Sequence, residues 1–246
     1  MWCLYDDAES SYKHAIEKNF DGKFEVHCFG INDVVFPKSN RYFYHKIDLS
    51  LCNFALIDEL KKIAKLYGAP KIILASPPCE SWSGADCGGC MFKEIDDNGK
   101  WVVNNKKYYE NYNKVCHPVK HRDFIKKERS RILGEATIGG TIEIIDFFKP
   151  KYWVIENPTT SKSWKYQTNH WDFNGFINKT YYSSYDKEFS TKPTIFKSNI
   201  KLELKAKKIS GNKSHMAKGN YAKRSSIPFD LIVDIIGQIL KEEYVK

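Results

Sequence analysis

Two short strings carry residue types able to do covalent chemistry. Leu74-Ala75-Ser76-Pro77-Pro78-Cys79-Glu80-Ser81-Trp82-Ser83 sets a cysteine behind two prolines, directly after a buried-strand pattern. Proline fixes φ, so the backbone leading into Cys79 is stiff. A stiff turn at the carboxyl end of a strand holds a thiol outward, where substrate arrives, and its thiolate is a strong nucleophile. The plainer reading is a small apolar side chain packed beside a proline turn. The second string, Tyr152-Trp153-Val154-Ile155-Glu156-Asn157-Pro158, ends a buried-strand pattern on a carboxylate. Alone, Glu156 reads equally as a helix cap or a loop charge. Side by side, the strings bring a thiol and an acid to neighbouring strand ends that face one pocket.

Such a pocket needs a sheet to hold its walls. Residues 1–4, 25–29, 41–47, 71–75 and 152–155 read as strands. Between them, Ser10 or Ser11 caps a helix to about Asn19. Leu51 to Leu66 keeps helical spacing until Gly68 and Pro70 end it. Over Ser130 to Phe148, Ile132, Ala136, Gly140, Ile144 and Phe148 recur four apart, and Pro150 stops the helix. This alternation predicts a mainly parallel sheet with helices on both faces and ligands at the carboxyl ends of its strands. Residues 87–128 and the Lys-rich 159–224 break the rhythm, and the latter reads as a small lobe. Pro228 opens a final helix striped by Leu231, Ile232, Ile235, Ile236, Ile239 and Leu240, which packs on the sheet.

The chain has 246 residues, a formal charge of +9 and 15% aromatic residues, a balance that suits a polyanion with bases to stack against. The Met1 start lacks a secretory pattern and no apolar run reaches membrane-span length, so a cytoplasmic protein is expected. Seven scattered cysteines in a chain of this size read as reduced thiols.

Together the two strings resemble the DNA cytosine-5 methyltransferase family, matching its Pro-Pro-Cys and Glu-Asn-Val motifs with Pro158 in place of valine. The resemblance runs over residues 1–160 in motif order and more loosely over the final helix. It implies an α/β fold: a Rossmann-like S-adenosylmethionine-dependent methyltransferase sheet, with helices on both faces and a small irregular basic target-recognition lobe. The expected division is a catalytic core over 1–158 with an insertion at about 86–128, a DNA-binding region over 159–224, and a helix over 225–246 that returns to the core. It further implies a cytosine flipped out of double-stranded DNA. Cys79 would add to carbon 6, Glu156 would hold ring nitrogen 3, and S-adenosylmethionine would methylate carbon 5. Pro78, Ser81, Asn157, Lys192 and Arg224 are the expected substrate contacts.

The first turn lacks the family's glycines. Tyr5, Asp6 and Asp7 are expected to cradle the cofactor, with Asp6 and Asp7 meeting its ammonium and Ser10 and Ser11 its carboxylate. Asn32 stands near the ribose position, Asp48 near the adenine edge, and Ser76 and Pro77 on the cofactor side of the nucleophile. A solvated acidic turn competes with this reading.

Cys87, Cys90, Cys116 and His117, with His121 nearby, have the residue types of a structural zinc site, against loop thiols with no ligand. Residues 200–224 hold seven lysines and Arg224 against Glu203 alone, a phosphate-contacting surface or a solvated loop. Two rival functions remain: the same chemistry on RNA, and a DNA-binding relative that has abandoned its cofactor. One enzyme per flipped base makes a monomer sufficient, and a restriction-modification partner, a phage enzyme and an orphan methylase fit alike.

Overall fold

The computed structural model describes residues 1–7, 9–83, 92–94, 101–218 and 221–244. From the amino end, β1 (Trp2–Leu4) leads through α1 (Ser11–Phe20) to β2 (Val26–Gly30), β3 (Tyr42–Lys46), α2 (Leu56–Tyr67) and β4 (Ile72–Ala75). The paired strands β5 (Phe92–Glu94) and β6 (Trp101–Val103), then α3 (Lys106–Val115) and the long α4 (Phe124–Phe148), precede β7 (Tyr152–Pro158). Next come α5 (Ser163–Trp171), β8 (Phe176–Tyr181), β9 (Pro193–Ser198), the short α6 (Lys213–Lys218) and α7 (Tyr221–Ser225), and α8 (Phe229–Tyr244).

Seven strands form one sheet in the order β3-β2-β1-β4-β7-β9-β8. The first five are mutually parallel, and β9 runs against both β7 and β8. The fold is thus the expected Rossmann-like α/β sheet. Strand order reverses direction between β1 and β4, and at such a switch point the loops beyond the carboxyl ends part to leave a crevice.

Side chains alternate across the strands and build two cores. Trp2, Leu4, Ile73, Ala75, Trp153 and Ile155 pack under α2, α4 and α5. Cys3, Cys28, Ile72, Leu74, Tyr152, Val154 and Phe196 pack under α1 and α8, whose apolar stripe is buried as expected. α8 lies along α1, and Ser11 Oγ accepts the Ile227 amide at 3.1 Å.

Several boundaries differ from the sequence reading. α2 starts at Leu56 instead of Leu51, because Leu51 donates its amide to Ala136 O (3.0 Å) and Asn53 Oδ1 accepts from Ala55 in a local turn. α4 starts six residues before Ser130, where Asp123 Oδ1 caps it through the Lys126 amide. Ile132 of the four-residue series is exposed. The aperiodic 87–128 stretch contains α3, capped by Asn105 through the Tyr108 amide. Of the lobe expected over 159–224, β8 and β9 belong to the main sheet.

Two glycines of α4 fix how closely that helix meets the loops at the crevice. A Cβ on Gly140 would stand 2.0 Å from Leu49 O, and one on Gly134 would stand 1.9 Å from Ser81 Oγ. Any side chain at either position would push α4 off the loops that follow β3 and β4.

Candidate active site

A cavity of about 480 Å³ opens at the switch point. Pro77, Pro78, Cys79 and Glu156 line it from the β4 and β7 side; Tyr5, Asp6, Asp7, Asn32 and Asp48 line it from the β1, β2 and β3 side; exposed Arg224 stands at the lip. The thiol and the acid expected to share a pocket do share one.

The loop after β4 is tied on every side. Ser76 donates its amide to Leu4 O (3.1 Å), and its hydroxyl is 2.6 Å from Tyr12 Oη on α1. Asn157 Nδ2 donates to Pro77 O at 3.0 Å, so the residue after the acid clamps the loop that carries the thiol. Cys79 O then accepts the amides of Trp82 and Ser83 at 3.0 and 2.8 Å, closing one tight turn. Cys79 is half-buried. Burial pushes its thiol up to about 11; Lys192 pulls against that rise, while Glu156 and Glu80 add to it.

Glu156 is 6% exposed. Its Oε1 accepts the Tyr182 hydroxyl at 3.0 Å and lies 3.5 Å from Lys192 Nζ. An almost fully buried carboxylate needs such partners, since unpaired burial of a charge is costly.

The turn after β1 is built differently. Tyr5 and Ser10 adopt left-handed conformations, with φ of 57° and 50°, at a glycine-free turn. Each costs about 1–2 kcal/mol relative to a right-handed residue, so other contacts must hold it. Tyr5 Oη, 2.7 Å from Thr137 O and 3.0 Å from Leu49 O, pins its ring between α4 and the loop after β3. Ser10 does not cap α1. Asp7 does that work, its Oδ1 accepting the Glu9 and Ser11 amides at 2.8 and 3.4 Å, while Ser11 Oγ is engaged by Ile227.

Asp6 is 2% exposed, and neither carboxylate oxygen has a hydrogen-bond partner among the described residues. Burial, helped by the charge of Asp7, pushes its carboxyl up to about 8. The Ser10 hydroxyl and Cys28 thiol temper that rise without reaching hydrogen-bond geometry. Ser10 Oγ is likewise buried and unpartnered among the described residues. A cationic group entering here would meet a carboxylate with nothing else to bond.

Other expected site residues take other posts. Asn32 Nδ2 reaches Asp6 O at 3.5 Å, and exposed Asp48 uses Oδ1 to accept the amide of buried Ser50 at 2.9 Å. Ser81 is buried against α4, and Asn157 is buried as the loop clamp. Neither lines the cavity, so both act on it from behind. Lys192 also lies outside the lining, yet it pairs with Glu156. Cys87 and Cys90 lie outside the described residues. Cys116 is half-buried, His117 Nδ1 accepts the Val119 amide at 3.3 Å, and no cluster of three metal-binding side chains occurs among the described residues.

Tyr12 and Tyr182 were not foreseen. A tyrosine in a polar run such as Tyr181-Tyr182-Ser183-Ser184 has no periodic signal, and its post becomes visible only once its hydroxyl meets Glu156 across β9.

No protein-family model matches the chain, and no curated protein matches it. Among solved structures, the chain is similar to that of a candidate DNA modification methyltransferase encoded within an E. coli prophage, at 14% identity and a TM-score of 0.45. The likeness covers 88% of this chain and 53% of that one, so the chain spans about half its length. Likeness at this level carries no argument about activity.

The basic stretch is held in place. Carbonyls of Lys205, Lys207 and Ile209 accept the hydroxyls of Thr180, Ser184 and Ser183 at 2.7, 2.5 and 2.6 Å. The strap presents Lys201, Lys205, Lys207 and Lys208 to solvent. It runs from the end of β9 along β8 to the turn that holds Tyr182. No helix among the described residues is long and apolar enough to cross a membrane.

Proposed function

We propose that the protein is an S-adenosylmethionine-dependent DNA cytosine-5 methyltransferase. The observation that carries this reading is the single cavity walled by Cys79 and Glu156 on one side and by the unpartnered Asp6 carboxylate on the other. A nucleophile with an adjacent acid suits addition to an electron-poor ring, and a buried carboxylate without a partner suits a ligand ammonium.

The donor set fits the cofactor. Asp6 would hold the ammonium, Tyr5 and Asn32 the rim, and exposed Asp48 the far end. When bound, S-adenosylmethionine supplies an electrophilic methyl group. The chain's own residues do the rest. Cys79 Sγ adds to carbon 6 of the cytosine while Glu156 carries the proton lost by the thiol to nitrogen 3, which leaves an enamine with raised electron density at carbon 5. After carbon 5 is methylated its proton passes to water, the carbon–sulfur bond breaks with its electron pair on Sγ, and the nitrogen 3 proton returns to Cys79 through Glu156. With a thiol pushed up to about 11, the nucleophile is protonated at neutral pH, so its proton must leave as the base docks.

DNA as the partner is supported by the +9 charge and by the anchored strap of exposed lysines beside β8. The deciding experiment incubates the protein with S-adenosylmethionine and a DNA pool carrying 5-fluorocytosine, with Cys79→Ser as control. Fluorine blocks proton loss from carbon 5, so the expected product is a denaturation-resistant adduct that the control lacks. No adduct with DNA, but one with 5-fluorocytosine RNA, would transfer the reading to RNA.

A further inference from the structure

We propose that Tyr182 is a positioning residue that passes the charge of Lys192 to Glu156 and commits one oxygen of that carboxylate, leaving the other for the substrate base. This rests on the methyltransferase reading above.

The geometry is directional. Lys192 Nζ donates to Tyr182 Oη at 3.3 Å, and Tyr182 Oη donates to Glu156 Oε1 at 3.0 Å. A phenol can do both at once, accepting on a lone pair and giving its single proton, so the chain runs one way from cation to anion. The same ammonium sits 4.4 Å over the Tyr182 ring centroid and 3.5 Å from Oε1, which closes a three-member cluster. No described residue bonds Oε2.

Tyr182 is held firmly enough to aim another side chain. It is fully buried, in the tight turn after β8, and its ring meets Phe189 edge-on at 5.9 Å. Its amide donates to Lys192 O at 3.3 Å, so tyrosine and lysine are also fixed to each other through the backbone. Glu156 approaches from the far side, on β7, with β9 between the two elements. A base that enters past Cys79 therefore meets a carboxylate whose rotation is already stopped.

A tyrosine present only to fill the core would contribute its ring and leave turnover alone. The test compares Tyr182→Phe, which keeps the ring, with the pair Lys192→Gln and Lys192→Arg, measuring methyl transfer to DNA and melting temperature. Losing a hydrogen bond to a charged acceptor predicts a kcat about ten- to hundredfold lower for Tyr182→Phe and Lys192→Gln. KM for S-adenosylmethionine should stay within about twofold, and Lys192→Arg, which keeps a cation, should recover most of the rate. Unchanged kcat in Tyr182→Phe overturns the proposal. If that variant does not fold, equal rates in Lys192→Gln and wild type overturn it instead. Wild-type trapping on 5-fluorocytosine DNA separates the two levels: an adduct with no effect of the variants sinks the positioning role alone, and no adduct sinks the methyltransferase reading together with it.

Discussion

The loops after β1 and β4 border the same cavity and are held in different ways. The loop after β4 holds the Cys79 thiol still with side chains and prolines: Pro77 and Pro78 stiffen the approach, Asn157 clamps Pro77 O, and Tyr12 meets Ser76. The turn after β1 is built without proline or glycine. Its shape comes from backbone bent into left-handed conformations at Tyr5 and Ser10, held by the Tyr5 hydroxyl and the Asp7 cap. The loop after β4 is stiffened by its own prolines and clamped from α1 and β7, whereas the turn after β1 is held by hydrogen bonds that its own Tyr5 and Asp7 make.

Four substitutions test that contrast. Cys79→Ser should have the largest effect, a loss of at least about a thousandfold in methyl transfer and no trapped adduct, since serine is a far weaker nucleophile at its ordinary pKa. Asp6→Asn comes next. It should weaken S-adenosylmethionine binding about ten- to hundredfold by calorimetry, the worth of a charge-assisted hydrogen bond, with the fold intact.

The same variant carries a pH signature. Folded Asp6 keeps its proton up to about 8, whereas an unfolded aspartate loses it near about 3.9. Between those values the folded chain binds more protons, so this residue lowers stability progressively as pH rises through the window. Melting temperatures of Asp6→Asn and wild type should therefore diverge from about pH 5 to about pH 8, in favour of the variant. Parallel curves would mean that Asp6 has a partner after all.

Asn157→Ala should cost about 1–3 kcal/mol by denaturant melts, because it strands the buried Pro77 carbonyl, and it should slow transfer while donor affinity holds. An equal loss of donor affinity would show that the two loops are one mechanical unit. The smallest effect is expected for thiol reactivity. Alkylation of Cys79 by iodoacetamide should climb with pH toward about 11, and Lys192→Met should slow it severalfold at fixed pH, because the cation that favours the thiolate is gone.

The same contrast explains what could be read from the sequence. Strand positions, the α8 stripe and the thiol–acid pair follow from periodicity and from residue types placed at strand ends, and all are seen in the structure. The posts of Ser81 and Asn157 are not legible, since each is set by a contact from a distant element: α4 against Ser81, the loop after β4 against Asn157; Ser10 loses the cap to Asp7 nearby. Tyr5 as a left-handed residue contradicts its own propensity, and a single sequence offers no sign that Thr137 and Leu49 compensate. The start of α2 was misplaced for a similar reason, since the bond from Leu51 to Ala136 overrides helical spacing. β8, at the sheet edge, alternates exposed and buried positions, and β9 beside it mixes polar with apolar residues; both resemble a loop until they are paired.

The bond between Ser11 and Ile227 joins residues 216 positions apart, and α8 supplies the cover for α1. During synthesis α1 therefore emerges long before its partner, with Tyr12, Ile16 and Phe20 exposed to the cell. The turn after β1 begins that helix, so it acquires its final support only when α8 docks. On the methyltransferase reading proposed above, a growing chain would carry Cys79 well before the turn assigned to the methyl donor has its support, so nascent and truncated products alike would be inactive.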